Sequence, residues 1–76
     1  MASRKIHPMT EALAYNIRLL RVKRGMSQIV LAVEAGTTPA TISAIENREG
    51  NPTLEIMQRL ADALGVDVAA LFAKPE

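Results

Sequence analysis

The feature that most constrains the fold is the segment 28–47, QIVLAVEAGTTPATISAIEN. Apolar residues recur at helical spacing before and after Gly36, which takes the positive φ of a helix C′ position without steric cost. Thr38 can cap a second helix there, and Pro39 suits its first turn. The segment therefore predicts two short helices joined by a tight turn, with the small Ala32 at their closest approach. Such a pair can present a helix to the major groove of DNA, but two ordinary core helices would use the same residues.

Further helices are predicted on both sides of this pair. Thr10 can cap a first helix that runs to about Arg24 and ends at Gly25. Residues 1–8, which end in a proline, are interpreted as a flexible basic arm, and residues 9–76 as one helical domain.

The second half of the chain predicts two more helices. Ser27 is the candidate cap of the second helix and Thr53 that of the fourth, while Asp67 can cap a short fifth helix in which Leu71 and Phe72 fold back on the core. The predicted buried stripe of the fourth helix consists of Leu54, Met57, Leu60, Ala61 and Leu64. The predicted fold is an all-α bundle of five helices.

Composition excludes several classes of function. The chain has no cysteine, which excludes disulfides and zinc–thiolate sites and favours a cytoplasmic location. No apolar run approaches the length of a membrane span, so no membrane association is expected. His7 is the only histidine and lies in the arm without a paired carboxylate, and the hydroxyl residues have no base partner. Neither catalysis nor a cofactor is therefore expected.

The small net charge of +1 conceals an asymmetry along the chain. Residues 1–48 carry seven basic against three acidic side chains, whereas residues 49–76 carry two basic against five acidic ones. The basic half contains the second helix of the pair, which is the candidate reading helix for the major groove. This distribution of charge is expected of a protein that binds DNA through one side of its surface.

Short motifs along residues 17–72 strengthen this interpretation. They are RxxRGMSQ at 21–28, AG at 35–36, TIS at 41–43, IEN at 45–47, NPTL at 51–54 and LADALGV at 60–66. In these motifs the chain resembles the Cro/phage-repressor type of helix-turn-helix domain, the XRE-like or lambda-repressor-like family. The resemblance implies a regulator that binds double-stranded operator DNA, with a recognition helix at about 38–47 in the major groove.

The resemblance also implies site residues. The implied base contacts are Thr38, Pro39, Ala40, Ser43 and Ala44. The implied phosphate contacts are Gln28, Thr41, Asn47 and Arg48. An ion pair between Arg21 and Glu46 is implied to join the first helix to the third. Many relatives place Gln or Arg on the outer face where this chain has proline and alanine, so its direct readout would rest on hydroxyl and methyl groups.

A homodimer is expected, because one such domain reads only a few base pairs and a dimer places two reading helices about 34 Å apart. The surplus apolar residues predicted to form the dimer interface are Ile56, Val68, Ala69 and Phe72. Relatives of this size include stand-alone repressors and controller proteins of restriction–modification operons. Two alternatives stay open: an antitoxin whose main partner is a toxin protein, and the DNA-binding module of a longer sensory regulator.

Overall fold

The computed structural model describes residues 7–74, and over that range the chain is helical without a β-strand. The elements in chain order are α1 (Pro8–Lys23), α2 (Gln28–Ala35), α3 (Pro39–Glu46), α4 (Leu54–Leu64) and a 3₁₀ segment (Val68–Phe72). The all-α prediction is confirmed, but the prediction of five α-helices is wrong. Because the last element has only five residues, it closes as tight 3₁₀ turns instead of a cooperative α-helix. The arm residues 1–6 lie outside the described residues.

Local capping explains where the helices begin. The hydroxyl oxygens of Ser27, Thr38 and Thr53 each accept a hydrogen bond from the backbone N–H three residues later, which confirms these three caps. The first helix begins earlier than predicted, since His7 Nδ1 accepts from the backbone N–H of Met9 at 3.1 Å. Thr10 is therefore not the cap.

Eleven buried apolar side chains from all five elements form a single core. They are Leu13, Ile17, Leu31, Ala32, Ala35, Ile42, Ile45, Leu60, Ala61, Leu64 and Leu71. Ala32 is fully buried and Gly36 has a φ of +70°, as the tight turn between α2 and α3 requires. The predicted stripe and turn of these two helices are confirmed.

The predicted stripe of α4 needs a correction at its first residue. Leu54 is 81% exposed, whereas Ile56, expected to be surplus surface, packs against the core together with Met57. Spacing alone therefore assigned Leu54 to the wrong environment, because apolar periodicity does not show how far the neighbouring elements cover a helix.

A single buried polar side chain among the described residues ties the end of the chain to α1. Asn16 Nδ2 donates to the carbonyl oxygens of Leu71 at 3.0 Å and Ala73 at 2.7 Å. Because a side-chain amide satisfies both carbonyls, the 3₁₀ segment is held against α1 despite its short length.

Candidate nucleic-acid interface

Helix α3 has a buried inner face and a more exposed outer face. Ile42 and Ile45 are buried, while Pro39 and Ala40 are exposed to solvent at the start of the helix. Eight residues at 1.5 Å rise give a rod about 12 Å long, which matches the width of the major groove of B-DNA. The outer face carries only small side chains, so the helix backbone can approach another surface closely.

An ion pair holds α3 against α1. Arg21 Nε and Glu46 Oε2 are 2.6 Å apart, and Arg21 Nη2 donates to Glu46 Oε1 at 3.0 Å, so the contact is bidentate. The side chains are only 13% and 5% exposed. The hydrogen bond that Arg21 donates to Glu46 raises the pKa of Arg21, burial opposes this shift, and Coulomb attraction to Glu46 adds to it.

Two further hydrogen bonds extend this pair to α2. Gln28 Nε2 donates to Glu46 Oε1 at 3.2 Å, and Arg21 Nη1 donates to the carbonyl oxygen of Met26 at 2.8 Å. The structure thus brings together three of the predicted site residues, one from each of the first three helices. Gln28 occupies the first turn of α2, where free backbone N–H groups and the helix dipole favour an anion.

The hydroxyl groups at the start of α3 are engaged with each other. Thr38 Oγ1 accepts from the backbone N–H of Thr41 at 3.2 Å and lies 3.0 Å from the Thr41 hydroxyl. Thr38 is exposed and Thr41 is half-buried. Either hydroxyl keeps hydrogen-bonding capacity for a ligand, because each oxygen offers one donor and two acceptor positions.

The end of α3 has a feature that the sequence did not reveal. Arg48 adopts a φ of +61°, in the left-handed region that favours glycine. This conformation lets the N–H groups of Arg48, Glu49 and Gly50 turn back to the carbonyl oxygens of Ile45 and Ala44. The side chains of both Asn47 and Arg48 are exposed at this end of the helix. Asn47 Nδ2 donates to Ser43 Oγ at 3.3 Å.

The same turn covers part of the outer face of α3. Ser43 and Ala44 are half-buried, and a Cβ placed on Gly50 would lie 3.5 Å from the Cβ of Ala44. Of the five predicted base-contact positions, the first three are therefore the more accessible.

The predicted dimer residues do not form one exposed patch. Ile56, Val68 and Phe72 are half-buried and pack against the core, and Ala69 is exposed. Leu54 was predicted to be buried but is exposed, because its spacing matches the buried stripe of α4.

A family model described as Helix-turn-helix, HTH_3, matches residues 17–71. The chain belongs to this family. The match extends from α1 to the 3₁₀ segment, and the XRE-like resemblance is confirmed. Relatives that share this helix-turn-helix are named as a transcription factor and an immunity repressor.

Three comparisons illustrate the relationship. The HTH_3 chain is 41% identical over 64 residues to a hypothetical transcription factor of Neisseria meningitidis serogroup B, covering 84% of this chain and 60% of that protein. The crystal structure of the hypothetical transcription factor NHTF from Neisseria has a TM-score of 0.85 at 34% identity, with coverage of 99% and 88%. The restriction–modification controller protein C.AhdI from Aeromonas hydrophila has a TM-score of 0.82 at 27% identity, with coverage of 87% and 100%.

The HTH_3 fold also occurs as one part of longer proteins. The present chain spans 60% of the length of its curated Neisseria relative. It superposes on a hydroxypropylphosphonic acid epoxidase from S. wedmorenis with a TM-score of 0.79 at 33% identity, covering 87% of this chain but 35% of the epoxidase. Within residues 7–74 no three His, Cys, Asp or Glu residues are grouped to hold a metal ion. Over the same range no helix has the length and apolar character needed to cross a membrane.

Proposed function

We propose that this HTH_3 chain is a sequence-selective transcriptional regulator that binds operator DNA as a homodimer. The observation that carries the proposal is the outer face of α3, which is free of bulky side chains and held in a fixed orientation by the Arg21–Glu46 pair. A helix that is rigid relative to the rest of the domain can enter a groove without a large loss of conformational freedom on binding.

The proposed base contacts lie along this outer face. They are Thr38, Pro39, Ala40, Ser43 and Ala44. Because none of these side chains is a bidentate donor, selectivity comes from hydroxyl hydrogen bonds, contacts with thymine methyl groups and the shape of the groove.

The proposed phosphate contacts flank the same face. Asn47 and Arg48 lie at the end of α3, Thr41 lies within it, and Gln28 opens α2 beside it. Arg48 is an exposed cation, and Gln28 stands where backbone N–H groups favour an anion. Contacts at these positions would orient the domain on the DNA backbone, while the outer face of α3 reads the bases.

Selection of bound sequences from a random DNA pool, followed by footprinting, tests the proposal. We expect a two-fold or nearly two-fold site with half-sites about one helical turn apart. Ala40→Glu places a carboxylate on the outer face and should abolish selective binding. Ala73→Glu is the matched control, because Ala73 is also exposed but lies outside α3, directly after the 3₁₀ segment. Failure of the unmodified chain to enrich any sequence would contradict the proposal.

A second candidate is that the chain is the DNA-binding module of a longer regulator. The chain covers only 60% of the Neisseria relative and 35% of the epoxidase, and this favours the candidate. It is tested by comparing the affinity of the 76-residue chain for its selected site with that of the product of the complete open reading frame. A complete open reading frame that encodes no further domain would contradict this candidate.

A further inference from the structure

A cavity of about 210 Å³ opens on the surface between α3 and the loop that leads to α4. Most of its wall is apolar. Such a wall favours an apolar group over a polar one, because burying apolar surface is favourable and burying an unpaired polar group is not. Six uncharged residues line the cavity, three from the helix and three from the loop: Thr41, Ala44, Ile45, Gly50, Asn51 and Pro52.

The cavity lies beside the outer face of α3. Thr41 and Ala44 are three residues apart and therefore share one side of the helix. The loop is held against this side, since the backbone N–H of Glu49 donates to the carbonyl oxygen of Ala44 at 2.8 Å. Because Ala44 is also one of the proposed base contacts, a base edge that meets this face would lie at the opening of the cavity.

Gly50 keeps the cavity open. The glycines that end α2 and α4, Gly36 and Gly65, have positive φ angles, which favour glycine over other residues. Gly50 has no positive φ, so its backbone conformation does not require glycine. A Cβ at this position would lie 3.5 Å from the Cβ of Ala44 and would fill part of the cavity. The missing side chain at Gly50 therefore provides space beside α3.

The chemistry of the major groove indicates which group fits this space. Thymine presents a C5-methyl group there, whereas the other groups that distinguish the bases are hydrogen-bond donors and acceptors. 5-Methylcytosine carries the same methyl group at the same ring position. An apolar wall can bury this methyl group without leaving a polar group unpaired. The hydroxyl of Thr41 lies 3.0 Å from that of Thr38, so it already has a hydrogen-bond partner and needs none from the base.

We infer that the cavity receives the C5-methyl group of a pyrimidine base in the major groove. The chain would then favour thymine over uracil, and 5-methylcytosine over cytosine, at one position of each half-site. This inference rests on the proposed function and names a feature of the bases that α3 reads. The volume of the cavity leaves room for a methyl group and the adjoining edge of the ring.

Base analogues that differ only in this methyl group test the inference. In the selected site each thymine in turn is replaced by deoxyuridine and each cytosine by 5-methyldeoxycytidine, and the dissociation constant is measured. At the position that meets the cavity, loss of the methyl group should weaken binding by about 4-fold and its gain should strengthen binding by the same factor. The thymine and cytosine arms distinguish the two sources of the methyl group. Changes below about 2-fold at every position would overturn the inference.

Gly50→Ala connects the response to the cavity. The substitution adds one methyl group to the wall and should abolish the difference between methylated and unmethylated bases at that position. The surrounding atoms lie at ordinary van der Waals distance from the added Cβ, so the variant should fold, and circular dichroism checks this. The scan of base analogues uses the unmodified protein and does not depend on this variant.

Ala73→Val is the matched control for Gly50→Ala. It adds methyl groups at an exposed position outside α3 and outside the loop that leads to α4. The control should keep the full response to the methyl group of the base. A folded Gly50→Ala protein that also keeps the full response would show that the methyl group is read elsewhere, and this would overturn the inference.

The inference and the proposed function can be distinguished by their failures. If the unmodified protein selects a DNA sequence but no base responds to the loss or gain of its methyl group, the methyl subsite is wrong and the proposed function stands. If the protein selects no sequence, both are wrong.

Discussion

At the scale of single residues, Arg48 combines two opposing requirements. Its φ of +61° is unfavourable for a residue with a Cβ, yet its exposed guanidinium lies where we propose a phosphate contact. Arg48→Gly should therefore raise the free energy of unfolding by about 0.5–1 kcal/mol, because glycine adopts this conformation without strain. In the same variant the slope of log affinity against log salt should fall by about 0.9 per subunit, the value for one lost phosphate contact.

Arg48→Ala is the matched control for that experiment. It removes the same charge but keeps a Cβ, so it should show the same change in salt slope without the gain in stability. Chemical denaturation and binding titrations at several salt concentrations measure both quantities. An unchanged slope in both variants would exclude Arg48 as a phosphate contact, and equal stability of the two would show that the left-handed turn is unstrained.

At the scale of elements, the two alanines of α3 should respond differently to the same substitution. Ala40→Glu should change the free energy of unfolding by less than about 0.5 kcal/mol, because the site is exposed. Ala44→Glu should lower it by about 1–3 kcal/mol, since a larger side chain must displace the turn at Gly50. Both variants should lose selective DNA binding. Thermal denaturation with parallel binding assays checks this, and equal stability of the two would mean that the turn is freely displaced.

The contact between α1 and α3 supports a second prediction at this scale. Arg21→Met leaves the Glu46 carboxylate buried without its partner and should destabilise the protein by about 3–5 kcal/mol. The double variant Arg21→Met with Glu46→Met should be more stable than Arg21→Met alone, because it leaves no unpaired charge. A double-mutant cycle by urea denaturation measures the coupling. Additive effects of the two substitutions on the free energy of unfolding would show that Arg21 and Glu46 do not stabilise each other.

At the scale of the whole molecule, dimerisation should couple stability to concentration. The melting temperature of a dimer rises with protein concentration, because folding and association are linked. We expect Val68→Asp to remove this dependence and to leave a folded monomer that binds a half-site weakly. Val68 is half-buried, so near-ultraviolet circular dichroism must show that the variant keeps its tertiary packing. A melting temperature of the unmodified protein that is independent of concentration would argue for dimerisation on DNA alone.

The sequence by itself determined the features that depend on near neighbours. The caps at Ser27, Thr38 and Thr53 and the left-handed turn at Gly36 could be predicted, because each depends on the chemistry of residues within a few positions. The inner face of α3 was also predictable, since apolar spacing of 3.6 residues requires a buried stripe. These local rules sufficed to indicate the helix-turn-helix unit.

Only the tertiary structure decided the features that depend on contacts between elements distant in the sequence or on how the chain closes after a helix. Leu54 has the spacing of a buried residue but is 81% exposed, whereas Ile56 packs against the core. The left-handed conformation of Arg48, which lets the next two residues close onto α3, could not be predicted from its residue type. The last segment forms 3₁₀ turns held by Asn16, 55 residues earlier in the chain. Periodicity reports which face of a helix is apolar, but the packing partners determine how much of that face is covered.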